Sequence, residues 1–430
     1  MTFERLRGFR DLYPEDAEPK FYVLKRAQDV ARSFGFQQID MPSLESLDLY
    51  RLKSGEELVS QTFSFIDKGG REVTMIPEAT PSVVRMLTSR KDLPRPVKWY
   101  SLPKIWRYEE PQSGRLREHI QFNADIFGPN TAEADSEIIG LAASILDSIG
   151  LSHSYNIRLN DRKLMEALLL ALGAKKPLEV FSVIDRFRKI TRQEFQQQLT
   201  GLGLNSQSVT KLTSLMESRG TVGNLRSIIQ DLTEINEELS DIISRLEQTL
   251  DLLSVYTDSE IFVDFSVVRG LSYYTGIVFE VFDVKGEYRS ILGGGRYDNL
   301  SKLMSDQDIP AVGFGMGDVV MELLMKREGL WQVPNTPKSF YFCIAAPEVR
   351  KEALIISAML RKEGYISTVD ISQRSLSAQL KNAAITSSDY AIILGRKEAE
   401  SGSITIRNMN NGEQQQVKTD QILDAIRKFS

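Results

Sequence analysis

The segment VVRGLSYYTGIVFEVFDVKGEYRSILGGGRYD occupies residues 267–298 and carries the most information about the fold. Within it, residues 277–282 have the alternation typical of a strand that is buried on most of its surface. Gly293, Gly294 and Gly295 follow, and glycines let another chain or a ligand come close to the backbone, because no Cβ intervenes. Arginines at both ends and neighbouring tyrosines predict a small pocket with a cation and phenols on its floor. The alternative is a tight hairpin with an exposed arginine.

The composition is that of a globular enzyme. The chain has 430 residues, of which 42% are hydrophobic and 26% charged, with a formal net charge of −5. This length predicts two or three domains. The sequence contains no run of 18 apolar residues, and its N-terminus lacks the apolar core of an export signal. We therefore expect a cytoplasmic protein without a membrane partner.

The single cysteine and the two histidines narrow the possible chemistry. Cys343 lies in the apolar run FYFCIAA, so we expect a core residue and no intrachain disulfide. His119 and His153 are too few for a zinc site with the usual ligands, and no protein zinc site is predicted. They also argue against nucleophilic catalysis by a serine or cysteine that is paired with histidine. Chemistry is expected to rest on arginine, carboxylate, tyrosine and backbone groups.

Hydrophobic periodicity predicts a helical insertion between two strand-rich parts. Residues 19–34 predict an amphipathic helix that ends at Gly35. Strands dominate residues 62–127. Residues 160–255 are predicted to be a mostly helical insertion, in which residues 225–253 have the spacing of one amphipathic helix.

The C-terminal part has its own pattern. It follows the linker signal PNTP and alternates strand, helix, strand, helix, strand over residues 340–394. This alternation predicts a small α/β domain with a parallel sheet. The predicted boundaries are residues 1–328 for the first domain, 329–338 for the linker and 339–430 for the last domain.

A second polar cluster lies upstream. The segments KIWRYE and QFNADI predict two strands of an antiparallel pair. A period of two places Arg107 and Glu109 on one face, and likewise Gln121, Asn123 and Asp125. Such a face is costly to bury unless a polar ligand occupies it. The basic loop EPQSGRLREH between the strands suits phosphate contacts. The alternative is a surface hairpin with solvated charges.

The third cluster is MIPEATPS, residues 75–82. Glu78 and Thr80 would flank the start of a helix, where a carboxylate can hold an ammonium group. The alternative is that Thr80 or Ser82 caps the helix and that Glu78 is solvated. The local sequence by itself favours this second arrangement.

These segments resemble the motifs of one enzyme family. Residues 107–125 resemble the second motif of class II aminoacyl-tRNA synthetases, a strand, loop and strand around Arg-x-Glu. Together with PEAT, VVRGLSYYTG and GGGRYD, the pattern is similar to that of histidyl-tRNA synthetases. The opening RGFRDLYPEDA and the C-terminal part extend the resemblance over essentially the whole chain. The implied fold is a multidomain α/β protein, in which a class II antiparallel sheet with flanking helices and a helical insertion precedes a C-terminal α/β anticodon-binding domain.

The resemblance implies an ATP-dependent ligase that joins L-histidine to histidine tRNA through histidyl-adenylate, with Mg²⁺. Arg107 and Arg269 would be the catalytic arginines at the α-phosphate. The residues implied for the histidine substrate are Glu78, Thr80, Gln121, Asp125, Tyr273, Tyr274 and Tyr297. Those implied for ATP are Arg107, Glu109, Arg115 and Arg269, and those for the tRNA acceptor end are Gln112, Arg115 and Arg117.

The sequence departs from the family pattern at its third motif. That motif places an arginine early in a helix after a glycine-rich strand, but the strand AVGFGMG is followed here by Asp318, Val319 and Val320. The group that holds the far phosphates of ATP therefore stays open. In addition, Ser272 and Ile120 stand where the family often has aspartate and histidine.

Three functions are compatible with the resemblance. One is an active synthetase. Another is the non-catalytic regulatory subunit of ATP phosphoribosyltransferase, which binds histidine as a feedback signal but usually lacks the anticodon domain. The third is an RNA-binding sensor without chemistry. The C-terminal domain and the intact Arg107, Glu109 and Arg269 favour the synthetase. The segment FQQIDMP, residues 36–42, resembles the first class II motif and predicts a homodimer.

Overall fold

The computed structural model describes residues 3–51, 59–268, 273–334 and 336–427. The chain divides into two compact units, Met1–Gln332 and Val333–Ser430. Arg269 and Ser272, which the sequence analysis singles out, lie outside the described residues, as does Asn335 of the predicted linker.

A large sheet forms the body of the first unit. The described strands of this unit are β1 (Gln37–Gln38), β2 (Leu44–Ser46), β3 (Ser64–Ile66), β4 (Glu72–Met75), β5 (Val97–Ser101), β6 (Lys104–Trp106), β7 (Glu118–Phe127), β8 (Tyr155–Asp161), β9 (Ile261–Val263), β10 (Ile277–Asp283), β11 (Leu292–Arg296) and β12 (Ala311–Gly317). The main sheet runs in the order β1–β5–β7–β12–β11–β10–β8–β9, and β6 pairs with the start of β7. Only the outer pairs β1–β5 and β8–β9 are parallel among its described strands. Strands β2, β4 and β3 form a separate small sheet.

Helices flank this sheet and fill the insertion. Those of the first unit are α1 (Pro14–Ser33), α2 (Leu47–Arg51), α3 (Thr80–Thr88), α4 (Ala132–Ser148), α5 (Arg162–Ala171), α6 (Pro177–Ile184), α7 (Arg192–Gly201), α8 (Ser206–Glu217), α9 (Leu225–Gln230), α10 (Glu237–Leu253), α11 (Leu300–Met304) and α12 (Asp318–Arg327). A 3₁₀ turn at Phe187–Lys189 separates α6 from α7. Gly35 has a φ of +80°, as expected for the residue that ends α1.

The prediction of one helix over residues 225–253 is wrong. The chain forms α9 and α10 with a break between them. Asn236 causes the restart, because its side chain accepts a hydrogen bond from the backbone N–H of Leu239 at 2.8 Å. Glu237 and Glu238 in the first turn of α10 add a favourable interaction with the helix dipole. Within the segment FQQIDMP, residues 36–42, the paired strand is β1, which lies in parallel with β5.

The two faces of the main sheet have different roles. One face packs on α1 and α4, where Phe122 and Phe314 lie in the largest hydrophobic cluster. The glycines of β11 allow β11 and the neighbouring strand β12 to lie close together. A Cβ on Gly294 would lie 2.1 Å from the carbonyl oxygen of Gly313 in β12. The opposite face carries Tyr273, Tyr274 and Tyr297, together with Arg107.

The second unit is a small α/β domain. Its strands are β13 (Ser339–Ile344), β14 (Ile366–Val369), β15 (Tyr390–Leu394), β16 (Ser403–Asn408) and β17 (Gln414–Lys418), and its helices are α13 (Arg350–Lys362), α14 (Leu376–Ile385), α15 (Arg396–Glu400) and α16 (Ile422–Arg427), with 3₁₀ turns at Pro347–Val349 and Thr419–Gln421. Strand β13 pairs in parallel with β14 and β15, as predicted. Strands β16 and β17 add an antiparallel edge. Cys343 is fully buried in β13, and burial raises the pKa of its thiol to about 12. Across the described parts of both units, no helix has the length and apolar character needed to cross a bilayer.

Candidate active site

Two cavities adjoin on the free face of β7, β11 and β12. The tyrosine cavity, about 150 Å³, is lined by Glu78, Thr80, Arg107, Gln121, Asn123, Tyr273, Tyr274, Gly293, Tyr297, Gly313, Phe314 and Gly315. The arginine cavity, about 240 Å³, is lined by Arg107, Glu109, Gly114, Arg115, Leu116, His119, Gln121, Glu280, Arg289, Ser290, Ile291, Leu292, Gly293, Gly315, Gly317, Val319 and Val320. The two share Arg107, Gln121, Gly293 and Gly315. Ligands in the two cavities would therefore be in contact.

Three phenol rings and one carboxylate define the tyrosine cavity. The ring centroid of Tyr273 lies 5.1 Å from that of Tyr274 and 5.9 Å from that of Tyr297. The Tyr273 hydroxyl donates a hydrogen bond to Oε2 of Glu78 at 3.4 Å. Glu78 is only 3% exposed, and Thr80 begins α3 beside it. A buried carboxylate in an aromatic cavity is suited to a small cation, because it has lost most of its water.

Asp125 lies behind Tyr297, outside the lining of the tyrosine cavity. It is 2% exposed and accepts a hydrogen bond on Oδ1 from the hydroxyl of Tyr297. Burial raises the pKa of Tyr297 far above its ordinary value, and the nearby Asp125 carboxylate raises it further. Tyr297 is therefore protonated and remains a donor at neutral pH.

Glycines create the space for the polar side chains of β7. A Cβ on Gly313 would lie 2.0 Å from Oδ1 of Asp125, and one on Gly315 would lie 2.5 Å from Nε2 of Gln121. Gln121 donates to Oδ1 of Asn123 at 2.8 Å. Gln121, Asn123 and Asp125 thus share one face of the strand, as their alternation predicts. Asn123 lines the cavity although the sequence-based list of site residues omits it.

Arg107 occupies the boundary between the cavities. Its Nε donates to the carbonyl oxygen of Pro77 at 2.8 Å, which fixes the guanidinium at the cavity that Glu78 also lines. Strand β6 ends at Trp106, one residue earlier. The predicted antiparallel pairing of these two strands, β6 and β7, is confirmed, but its register is different, because β6 pairs with residues 118–120 at the start of β7 rather than with QFNADI. Residues 121–126 pair with β12 and β5 in the centre of the sheet.

The loop after β6 folds back on itself. Gln112 and Arg115 exchange backbone hydrogen bonds of 3.0 and 2.9 Å across a turn at Gly114, whose φ is +76°. Arg115 forms an ion pair with Glu109 at the arginine cavity. The guanidinium of Arg117 lies 4.0 Å from the ring centroid of Tyr108, outside the lining of both cavities. Arg115 and Arg117 therefore each have a partner within the protein.

Sequence reasoning missed three ionisable residues that line the arginine cavity, namely His119, Glu280 and Arg289. Glu280 carried a signal, since it is a charged residue in an otherwise apolar strand. His119 and Arg289 carried none. Burial lowers the pKa of His119 to about 4, so its imidazole is neutral at pH 7.

Arg296 does not provide the pocket cation that the segment around it predicted. Its side chain lies on the other face of β11, 2% exposed, with Nη2 at 2.6 Å from Oδ1 of Asp135. It also contacts Asp298 at 3.0 Å. Successive strand residues point to opposite faces, so Tyr297 faces the tyrosine cavity and Arg296 cannot. Arg269, the other predicted cation, lies outside the described residues.

Comparison with known proteins agrees with this arrangement. A family model described as histidyl-tRNA synthetase matches residues 8–318. The chain belongs to the histidyl-tRNA synthetase family. A second model, described as an anticodon binding domain, matches residues 333–429.

Individual members of the family match over their full length. The histidine–tRNA ligase of Thermoplasma volcanium is 50% identical over 428 residues, which cover 100% of this chain and 99% of that protein. The corresponding ligase of Picrophilus torridus is also 50% identical, with 99% of this chain and 100% of that protein covered. The crystal structure of histidyl-tRNA synthetase from Nostoc sp. PCC 7120 has the same fold, with a TM-score of 0.87 at 22% identity over both whole chains. The family and the fold predicted from the sequence are confirmed.

Proposed function

We propose that this protein is a histidine–tRNA ligase. It activates L-histidine with ATP to histidyl-adenylate, and then transfers the histidyl group to tRNA with release of AMP. The observation that carries the proposal is the shared wall of the two cavities at Arg107. An amino acid in the tyrosine cavity would present its carboxylate to a phosphate in the arginine cavity, and such positioning lowers the barrier to reaction.

The tyrosine cavity fits histidine at both ends. The buried carboxylate of Glu78, with Thr80 beside it, would bind the α-ammonium group. Tyr273 and Tyr274 would enclose the imidazole. Tyr297, held by Asp125, would place a polar group at the end of the ring. A site built to hydrogen-bond its substrate rejects analogues that lack the matching group, because its own polar atoms would then be left unpaired.

Arginine chemistry accounts for the activation step. Attack of the histidine carboxylate on the α-phosphate builds negative charge on a pentacoordinate phosphorus, and pyrophosphate leaves. A fixed guanidinium stabilises that charge without proton transfer. Arg107 is fixed by its bond to Pro77, and Arg269 would act from the opposite side. Glu109 would lie near the adenine, with Arg115 beside it on the phosphates.

Mg²⁺ would complete the nucleotide site. The arginine cavity offers the carboxylate of Glu280, and Mg²⁺ is usually held by one or two carboxylates together with substrate phosphates and water. The residues present therefore fit the ion as a companion of ATP. Within the described residues, no group of three or more His, Cys, Asp or Glu could form an all-protein metal site. When bound, Mg²⁺ would neutralise phosphate charge.

The tRNA would contact both units. Gln112, Arg115 and Arg117 are the proposed contacts for the acceptor end, and the second unit would bind the anticodon by single-strand contacts.

We also propose a cytoplasmic location and a homodimer. Phe65 and Ile66 on β3 are 51% and 71% exposed, which supports burial of this surface by another copy. A monomer in sedimentation at micromolar concentration would contradict the dimer.

The test is histidine-dependent exchange of pyrophosphate into ATP with the purified protein and Mg²⁺. We expect exchange with histidine and not with the other amino acids. The regulatory-subunit alternative is disfavoured, because relatives 50% identical over the whole chain are named ligases. If calorimetry detected histidine binding but no pyrophosphate exchange occurred, the regulatory-subunit alternative would be favoured again. RNA binding that is independent of histidine, again without exchange, would instead indicate the sensor.

A further inference from the structure

The beginning of α12 supplies no cation to the nucleotide site. Asp318 stands at its first residue and is held by ion pairs with Arg10 at 2.8 Å and Lys20 at 2.5 Å. Val319 and Val320 follow and line the arginine cavity. The position at which the family's third motif has an arginine is therefore apolar and bordered by a neutralised carboxylate.

Arg289 enters the same cavity from a different element. It lies in the loop between β10 and β11, three residues before the strand that carries the site glycines. Among the described residues, it has no carboxylate within ion-pair distance, and its Nη2 donates to Oε1 of Gln112 at 2.6 Å. Arg115, in contrast, is paired with Glu109. Of these two arginines, only Arg289 can take an anion without giving up an ion pair.

The loop that carries Arg289 is ordered by its own hydrogen bonds. The buried carboxylate of Asp283 accepts from the backbone N–H of Lys285 at 3.1 Å and from that of Tyr288 at 3.0 Å. On the other side, the hydroxyl of Ser290 donates to the carbonyl oxygen of Leu292 at 2.7 Å. Arginine at such a preorganised position loses less conformational freedom when it binds a phosphate.

We propose that Arg289 binds the β- or γ-phosphate of ATP and supplies the charge that the third motif lacks. The inference rests on the ATP-dependent activation proposed above. A phosphate is a stronger partner for a guanidinium than a neutral amide is. Binding of ATP would therefore replace the bond to Gln112 and free that amide in the loop proposed to meet the tRNA end.

The test compares Arg289→Ala and Arg289→Lys with the wild-type protein. The first measurement is affinity for ATP and for AMP by calorimetry. We expect Arg289→Ala to weaken ATP binding about tenfold to 100-fold and to leave AMP binding within twofold, because AMP lacks the far phosphates. Arg289→Lys should retain part of the ATP affinity. Lys285→Ala, in the same loop but outside the cavity lining, should change neither.

The second measurement is the KM for ATP in histidine-dependent exchange, which should rise in Arg289→Ala while the KM for histidine stays constant. Unchanged ATP affinity, or equal loss of ATP and AMP affinity, would overturn the assignment. Absence of exchange in the wild-type protein would contradict the proposed function. Whether or not the wild-type protein shows exchange, the ratio of ATP affinity to AMP affinity tests the binding of the far phosphates by Arg289.

Discussion

Tyr297 donates a hydrogen bond to the carboxylate of Asp125 across an intervening strand. Tyr297 follows β11, Asp125 lies in β7, and β12 runs between them. The bond is possible because Gly313 of β12 has no side chain, since a Cβ there would lie 2.0 Å from the carboxylate. The floor of the tyrosine cavity thus depends on three strands at once.

Removal of this hydroxyl should impair histidine recognition. For Tyr297→Phe we expect the KM for histidine in pyrophosphate exchange to rise about tenfold to 100-fold, because a buried carboxylate loses a donor worth about 1.5–3 kcal/mol. Asp125→Ala should weaken discrimination against other amino acids. The KM for ATP serves as the control and should change little. A Tyr297→Phe protein with unaltered histidine kinetics would refute a role for the pair.

Gly294→Ala should destabilise the sheet. The added Cβ would lie 2.1 Å from a carbonyl oxygen of β12, and backbone in the centre of a sheet cannot move away easily. We expect a loss of about 1–3 kcal/mol in the free energy of unfolding, measured with denaturant. Gly223→Ala is the matched control, because the nearest atom to its Cβ is 4.0 Å away. Equal stability of the two variants would contradict the packing argument.

Arg296 is predicted to matter for stability. It forms a nearly water-free ion pair with Asp135, whose side chain is fully buried. Arg296→Ala leaves that carboxylate without its closest cation and should cost about 3–5 kcal/mol in unfolding free energy. Arg90→Ala, which breaks the exposed pair with Asp92, should produce no measurable change. Retention of full stability by Arg296→Ala would indicate that Arg245, the other partner of Asp135, compensates.

Arg269→Ala should separate chemistry from binding. The sequence-based prediction is loss of adenylate formation, measured as pyrophosphate exchange, with histidine binding by calorimetry largely retained. The reason is that a guanidinium at the α-phosphate acts mainly on the charge of the transition state. Parallel loss of both would show that the arginine has a structural role.

His119 should make stability sensitive to acid. Burial lowers the pKa of its imidazole to about 4 in the native protein, against an ordinary value of 6.5. Below pH 6.5 the unfolded chain therefore binds a proton that the native chain does not. The part of the stability that depends on a neutral His119 is present above pH 6.5 and is lost as the pH falls towards 4.

The measurement is urea denaturation at pH 7.5 and pH 5. The free energy of unfolding should fall between these two pH values, and His119→Gln should reduce that fall by on the order of 1 kcal/mol. His153→Asn is a suitable control, because His153 is exposed and its φ of 67° is one that asparagine tolerates. The same pH dependence in wild type and His119→Gln would contradict the prediction.

Several features could be read from the sequence because they depend on local patterns. The alternation in QFNADI placed Gln121, Asn123 and Asp125 on one face, and Gly35 marked the end of α1. Others could not be read in this way. Apolar spacing over residues 225–253 does not reveal the break before α10, because a capping asparagine and a surface asparagine look alike in sequence.

The sequence by itself determined the family, the alternation of strands and helices over residues 340–394, and the residue types available for phosphate and ammonium binding. These follow from motifs and from short-range periodicity. Only the tertiary structure decided which side chains meet. It turned Arg296 towards Asp135, placed Asp125 behind Tyr297, and brought Arg289 into the cavity beside Val320. The physical reason is that strand pairing and the packing of helices on the sheet join residues more than 100 positions apart, and the partner element, rather than the local sequence, determines what each side chain contacts.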